Sequence, residues 1–169
     1  PHRQGLTSPR VLPITMQDFD IRPIPEEEIY RAQCYIDQIA KPLGAMGKLE
    51  TLAARLAALQ DTLQPSLSPR EHFVFAADHG IEQEGVSVSP RAVTWQQMIN
   101  FTHGGGGVIL FCKQHGFELT LVDMGVDHDL SAHPTILNRK IANGTRNFLH
   151  EPAMSQQQMQ QARNTGSEL

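Results

Sequence analysis

The chain has 169 residues, 40% of them hydrophobic and 19% charged, the composition of a globular domain with room for one core plus a helical appendage. Its net charge of −4 provides no basic face for a phosphate backbone, so nucleic acid is excluded as a partner. No apolar run approaches the roughly 20 residues of a membrane span, and the N-terminal PHRQGLTSPRVLPIT lacks the apolar centre of a signal peptide.

Residues 1–20 are expected to be disordered, of artificial origin, or upstream of a start at Met16. Pro25-Glu26-Glu27-Glu28 is a helix start, with proline in the first turn and acids at the positive end of the dipole. Ile29, Ala32, Ile36 and Ile39 recur at helical spacing until Pro42. After the loop KPLGAMGKLE, the stripe Leu49, Leu52, Leu56, Leu59, Leu63 predicts a second amphipathic helix from Lys48. Residues 21–64 therefore form a helical hairpin, and Gln64–Arg70 reads as a linker.

The texture changes at residue 70. Phe73–Ala77 reads as a short strand buried on both faces, of the parallel-sheet kind. Pro90–Phe101 predicts a helix, His103–Gly107 interrupts it, and Val108–His115 predicts a second, buried helix, with Gly116 as its C-cap. Leu119–Val122 is the next strand, ending at Asp123, which makes a right-handed βαβ unit. Ile136–Ala142 suits a peripheral third strand, NGTRNF a turn, and Pro152–Arg163 a final helix with Ser155 as N-cap. The fold class is α/β: an incomplete parallel Rossmann-like sheet with flanking helices over residues 70–169, preceded by the helical hairpin. Cys34 and Cys112 belong to no metal or disulfide pattern, read as buried thiols, and place the chain in the cytoplasm.

Ligands of open parallel sheets gather outside the carboxyl ends of the strands, where Asp78-His79 and Asp123 fall. Asp78 could instead cap the following turn, and His79 could be structural. Asp78-His79 and Asp127-His128-Asp129 carry residue types that bind divalent ions, but adjacent Asp-His pairs diverge on an extended chain and no HxH or HExxH occurs. The glycine run 104–107 lacks the pattern of a phosphate loop and suits close packing of a helix. On the helix after the loop, Gln97 could bond the edge of a flat heterocycle, whereas Trp95 and Met98 suit the core. Ser89 could be an N-cap or present its hydroxyl to a ligand.

KPLGAMGKLETLAARLAALQ, ADHGIEQEGVSVSPRAVTWQQM, VDMGVD, NGTRNF and EPAMS occur in the order and spacing of the nicotinate-nucleotide–dimethylbenzimidazole phosphoribosyltransferase family, and Ile29–Leu169 resembles its N-terminal half. The resemblance implies transfer of phosphoribose from nicotinate mononucleotide to 5,6-dimethylbenzimidazole in cobalamin lower-ligand assembly. It implies no cofactor, no metal, a homodimer, and small molecules as partners. Carried over by motif, Ser89 of VSVSP and Gln97 of TWQQM line the benzimidazole pocket, with Asp78 and His79 of DHG at its edge. GAMG stands where GSLG is usual, and four glycines where many members have a pair. The family's Gly-rich nucleotide segment and its catalytic carboxylate have no counterpart here. The catalytic residue is therefore unknown and expected beyond Leu169, and the chain alone is expected to be inactive. An open sheet edge and an apolar helix face are expected to be exposed. The alternatives are a non-catalytic azole- or partner-binding module, and a metal-dependent hydrolase using Asp78, His79 and Asp127.

Overall fold

The computed structural model describes residues 21–169; the expectation of disorder for residues 1–20 lies outside them. The chain divides after Ser68 into two compact units, the second being Pro69–Leu169. In the first unit, α1 (Glu26–Gln38) and α2 (Lys48–Leu59) pack as a hairpin. The seam differs from the expected leucine stripe. Ala32, Ala54 and Ala57 are its buried residues, with Ile29 and Ile36 beside them, while Leu49, Leu52 and Leu59 are exposed. Small side chains let the two backbones approach closely, which turns the larger residues of α2 away from α1. Cys34 is correspondingly only half-buried.

The KPLGAMGKLE loop is closed from inside by a charge. Glu50, buried in the first turn of α2, pairs with Lys41 at 2.8 Å and accepts the Met46 N–H at 3.0 Å. The Lys41 ammonium, then the Met46 amide, hold the Glu50 carboxyl below its ordinary range. Gly44 and Gly47 take the positive φ values, +70° and +54°, that the turn needs between these two ends.

The second unit is α/β. Strands β1 (Glu71–Ala77), β2 (Glu118–Gly125) and β3 (Ile136–Asn138) form a parallel sheet in the order β1-β2-β3. The β1–β2 crossover contains a short 3-10 turn (Gly80–Glu84), α3 (Ala92–Thr102) and α4 (Gly107–His115). α3 packs on β1 and α4 on β2. One sheet face carries the core, in which Ala76, Leu121 and Ile136 meet Met98, Val126 and Leu130, with Trp95 and Ile99 packed against them.

Several expectations need adjustment. β1 is not covered on both faces: Phe73 and Phe75 stack at 6.0 Å, and Phe75 is 50% exposed. On α4, Leu110 and Phe111 are exposed as well. β2 runs two residues past Asp123. β3 stops at Asn138, although the Arg139 and Ile141 amides still bond the Asp123 and Met124 carbonyls, at 2.9 and 3.1 Å. Ser155 caps α5 (Gln156–Glu168) through a reciprocal pair of bonds with Gln158. The glycine run turns tightly between α3 and α4: a Cβ on Gly105 would collide with the Asn100 side chain, and one on Gly106 would lie 2.7 Å from Phe101.

Candidate functional site: a cleft at the tip of the first strand

At the carboxyl end of the sheet the register slips. Ala76 pairs with Asp123 but Ala77 with Gly125, so Met124 is an extra residue on β2. Such a bulge bends the strand locally and changes where the following residues point. Beyond it, the Asp78 amide donates to the Gly125 carbonyl at 3.0 Å and its carbonyl accepts the Thr145 amide at 2.9 Å. The Asp78 side chain is buried, and its Oδ2 accepts the Asp127 N–H at 2.7 Å. Asp78 therefore does not cap its own turn; it ties the β1 tip to the exit of β2.

The NGT segment closes over the DHG segment. The Gly80 N–H donates to Thr145 Oγ1 at 3.2 Å, and Asn147 Nδ2 donates to Glu84 at 2.6 Å. Both glycines are required by this approach. A Cβ on Gly80 would lie 2.5 Å from the Arg146 and Asn147 backbone; Gly144 has φ +81° and sits against the Asp78 carbonyl.

On the side of β1 facing α3 lies a cleft of about 380 Å³. Asp78, His79, Ser89 and Gln97 all line it, together with apolar Ile81, Val86 and Val93. Asp78 is buried at the base, while His79, Ser89 and Gln97 are exposed. Ser89 is not a helix cap: α3 starts at Ala92 after Arg91, and the Ser89 amide donates to Ser87 Oγ at 3.1 Å. The Gln97 side-chain Oε1 accepts from Asn100 Nδ2 at 3.3 Å. His79 also borders an apolar hollow of about 200 Å³ walled by Met124, Ile141 and Met154. A cleft of this form, with apolar sides and a few polar groups, suits a small flat molecule.

Asp123 behaves differently from the expected crevice acid. It is 2% exposed, its Oδ1 accepts the Gly125 and Val126 amides at 3.0 and 2.8 Å, and Lys140 lies 3.4 Å from its Oδ2. It borders a separate hollow of about 630 Å³ with Asp127, His128 and Lys140. Trp95 stacks on His128 at 4.3 Å, rather than entering the cleft. For the metal-dependent alternative, the Asp127 carboxylate is turned to Arg91 at 2.9 Å. Among the described residues no three His, Cys, Asp or Glu side chains are grouped to hold a metal ion.

Two contributors were not legible as site residues. Nothing in the sequence pattern marks Arg91, yet it borders the cleft and pairs with Asp127. Thr145 is separated by 65 residues from the Gly80 amide it receives, and no spacing rule links them. The adjacent glycine in Asn143-Gly144-Thr145 was the available signal, since it announces a turn.

A parallel sheet with a ligand-sized cleft at its carboxyl edge is the arrangement of an α/β ligand-binding domain. The family model described as "Phosphoribosyltransferase" matches residues 21–169. The chain is 47% identical over 146 residues to nicotinate-nucleotide–dimethylbenzimidazole phosphoribosyltransferase of Bacteroides fragilis, covering 86% of this chain and 42% of that protein. The protein of the same name from Phocaeicola vulgatus is 46% identical over 155 residues, with coverage of 91% and 45%. A crystal structure of CobT from Thermus thermophilus superposes with a TM-score of 0.80 at 39% identity, covering 84% of this chain and 43% of that one. The chain belongs to the nicotinate-nucleotide–dimethylbenzimidazole phosphoribosyltransferase family. It spans less than half the length of these relatives. Among the described residues no helix is long and apolar enough to cross a membrane.

Proposed function

We propose that this chain supplies the azole-binding wall of a site that transfers phosphoribose from nicotinate mononucleotide to 5,6-dimethylbenzimidazole. The products are nicotinate and α-ribazole 5′-phosphate, an intermediate of the cobalamin lower ligand. The observation that carries this reading is the gathering of Asp78, His79, Ser89 and Gln97 around one cleft in a member of this family. Val86, Ile81 and Val93 would hold the faces of the flat ring, and the Gln97 amide and Ser89 hydroxyl its polar edge. The azole nitrogen attacks the anomeric carbon, the bond from that carbon to nicotinate breaks, and nicotinate leaves with the electron pair. The azole proton passes to a base. No residue of this chain is assigned that role. Holding the ring in line with the sugar carbon is the contribution proposed here.

Because the chain spans under half the length of its relatives, turnover is proposed to require the remainder of such a protein. The complete enzyme is proposed to act as a homodimer in the cytoplasm. Incubation with nicotinate mononucleotide and 5,6-dimethylbenzimidazole, with and without the remaining portion of the Bacteroides fragilis relative, tests the reading by chromatography of the products. α-Ribazole 5′-phosphate from the mixture alone supports it. No product from the mixture, together with no benzimidazole binding by the chain, overturns it. Binding without turnover in the mixture would favour a non-catalytic azole-binding module.

A further inference from the structure

The cleft has two walls of different character. Asp78 and His79 belong to the β1 tip, which the Asp127, Gly125 and Thr145 backbones hold in place. The opposite wall, Val86 to Ser89, is an exposed loop; the bonds of Ser87 and Ser89 described for it are made with each other, and Val88 projects fully into solvent. Arg91 follows this loop after Pro90. Its guanidinium reaches back to the first wall: Nη1 lies 2.9 Å from Asp127 Oδ2, Nη2 donates to the His79 carbonyl at 3.5 Å, and Nε lies 3.8 Å from Glu82. Asp127 is the residue whose amide fixes Asp78. One cation thus joins the exit of the loop to the group that anchors the other wall. Its side chain is 25% exposed and that of Asp127 38%, so the pair is partly shielded from water.

We infer that Arg91 is a positioning residue, whose clasp on Asp127 and the His79 carbonyl fixes the loop carrying Ser89 at the spacing that admits the azole. The inference rests on the proposed function for its ligand, but the clasp is measurable without one. The planar guanidinium has several donors in fixed directions, whereas an ammonium would satisfy one partner at a time. Arg91→Lys is therefore expected to behave as an intermediate between wild type and Arg91→Ala.

The test combines backbone ¹⁵N relaxation with titration of 5,6-dimethylbenzimidazole into wild type, Arg91→Ala, Arg91→Lys and the exchanged pair Arg91→Asp/Asp127→Arg. In Arg91→Ala the order parameters at residues 86–89 should fall to those of a flexible loop, below about 0.6, while the strands stay near 0.85. Azole affinity should drop about fivefold, a loss of about 1 kcal/mol. The exchanged pair should recover part of both. Unchanged order parameters at residues 86–89 in Arg91→Ala overturn the inference, as does loosening spread evenly over the second unit. If Arg91→Ala fails to fold, Arg91→Lys decides by the same readout. Failure of wild type to bind the azole would count against the proposed function and not against the clasp, which the relaxation data would still decide.

Discussion

At the tip of β1 the Asp78 carboxylate reaches an amide 49 residues away, whereas on β2 Asp123 folds back onto amides two and three residues further on. Both are buried acids at the carboxyl end of a parallel strand. Asp123 makes a local turn that could form as soon as its own segment is in place, and Lys140 neutralises it. Asp78 makes no local turn; its bonds require the exit of β2 and the NGT segment to be present. The cleft forms beside the second kind of acid. Burial and residue type are alike, so the range of the hydrogen bonds separates a residue that shapes a turn from one that assembles a site.

The contrast can be broken most severely at Gly80. Gly80→Ala forces a methyl onto the Arg146–Asn147 backbone and should destabilise the second unit by about 3 kcal/mol or prevent its folding, as read by urea denaturation. A free energy within about 0.5 kcal/mol of wild type, the bound for innocuous substitutions, would contradict the interlock. Asp123→Ala removes two charge-assisted bonds and should cost about 2 kcal/mol in the same assay without selectively weakening azole binding. Gln97→Ala should invert that outcome: stability should hold while benzimidazole affinity falls about fivefold, about 1 kcal/mol for one hydrogen bond. If both variants lose stability alike, the distinction between the two regions fails.

The smallest effect concerns Glu50 in the hairpin, another local carboxylate. Its folded-state pKa is lowered, first by Lys41 and then by the Met46 amide. Its contribution is therefore present above its ordinary value of 4.5 and is lost as pH falls through the lower folded value. Thermal melts over that acid range should show a downward step in the hairpin's stability. Glu50→Gln should flatten the step, and an identical pH profile in the two proteins would refute the assignment.

Much of the framework could be read from local pattern. The strands around Val74 and Leu121, the cap at Ser155 and the left-handed Gly116 after α4 follow from rules that act within a few residues. The α2 stripe misled because periodicity reports an apolar face, not which neighbour it meets; the alanines made the closer seam. Phe75 misled in a related way, since an apolar run does not say that both sheet faces are covered. At the site, the family motifs drew attention to Asp78, His79, Ser89 and Gln97, and the cleft brings these side chains together; their substrate roles stay with the proposal. Arg91 and Thr145 escaped notice because their partners, 36 and 65 residues away respectively, meet them only through the sheet crossover.

The bond from the Gly80 amide to Thr145 spans 65 residues of chain. During synthesis, the strand carrying DHG leaves the ribosome long before the threonine that completes its tip. The helices of the crossover can form in that interval, because their bonds are local, but the closing of the β1 tip has to wait. Its assembly is consequently a late event of biogenesis, and a pause in translation before residue 145 would leave a nascent domain with its core begun and the tip of its first strand unfinished.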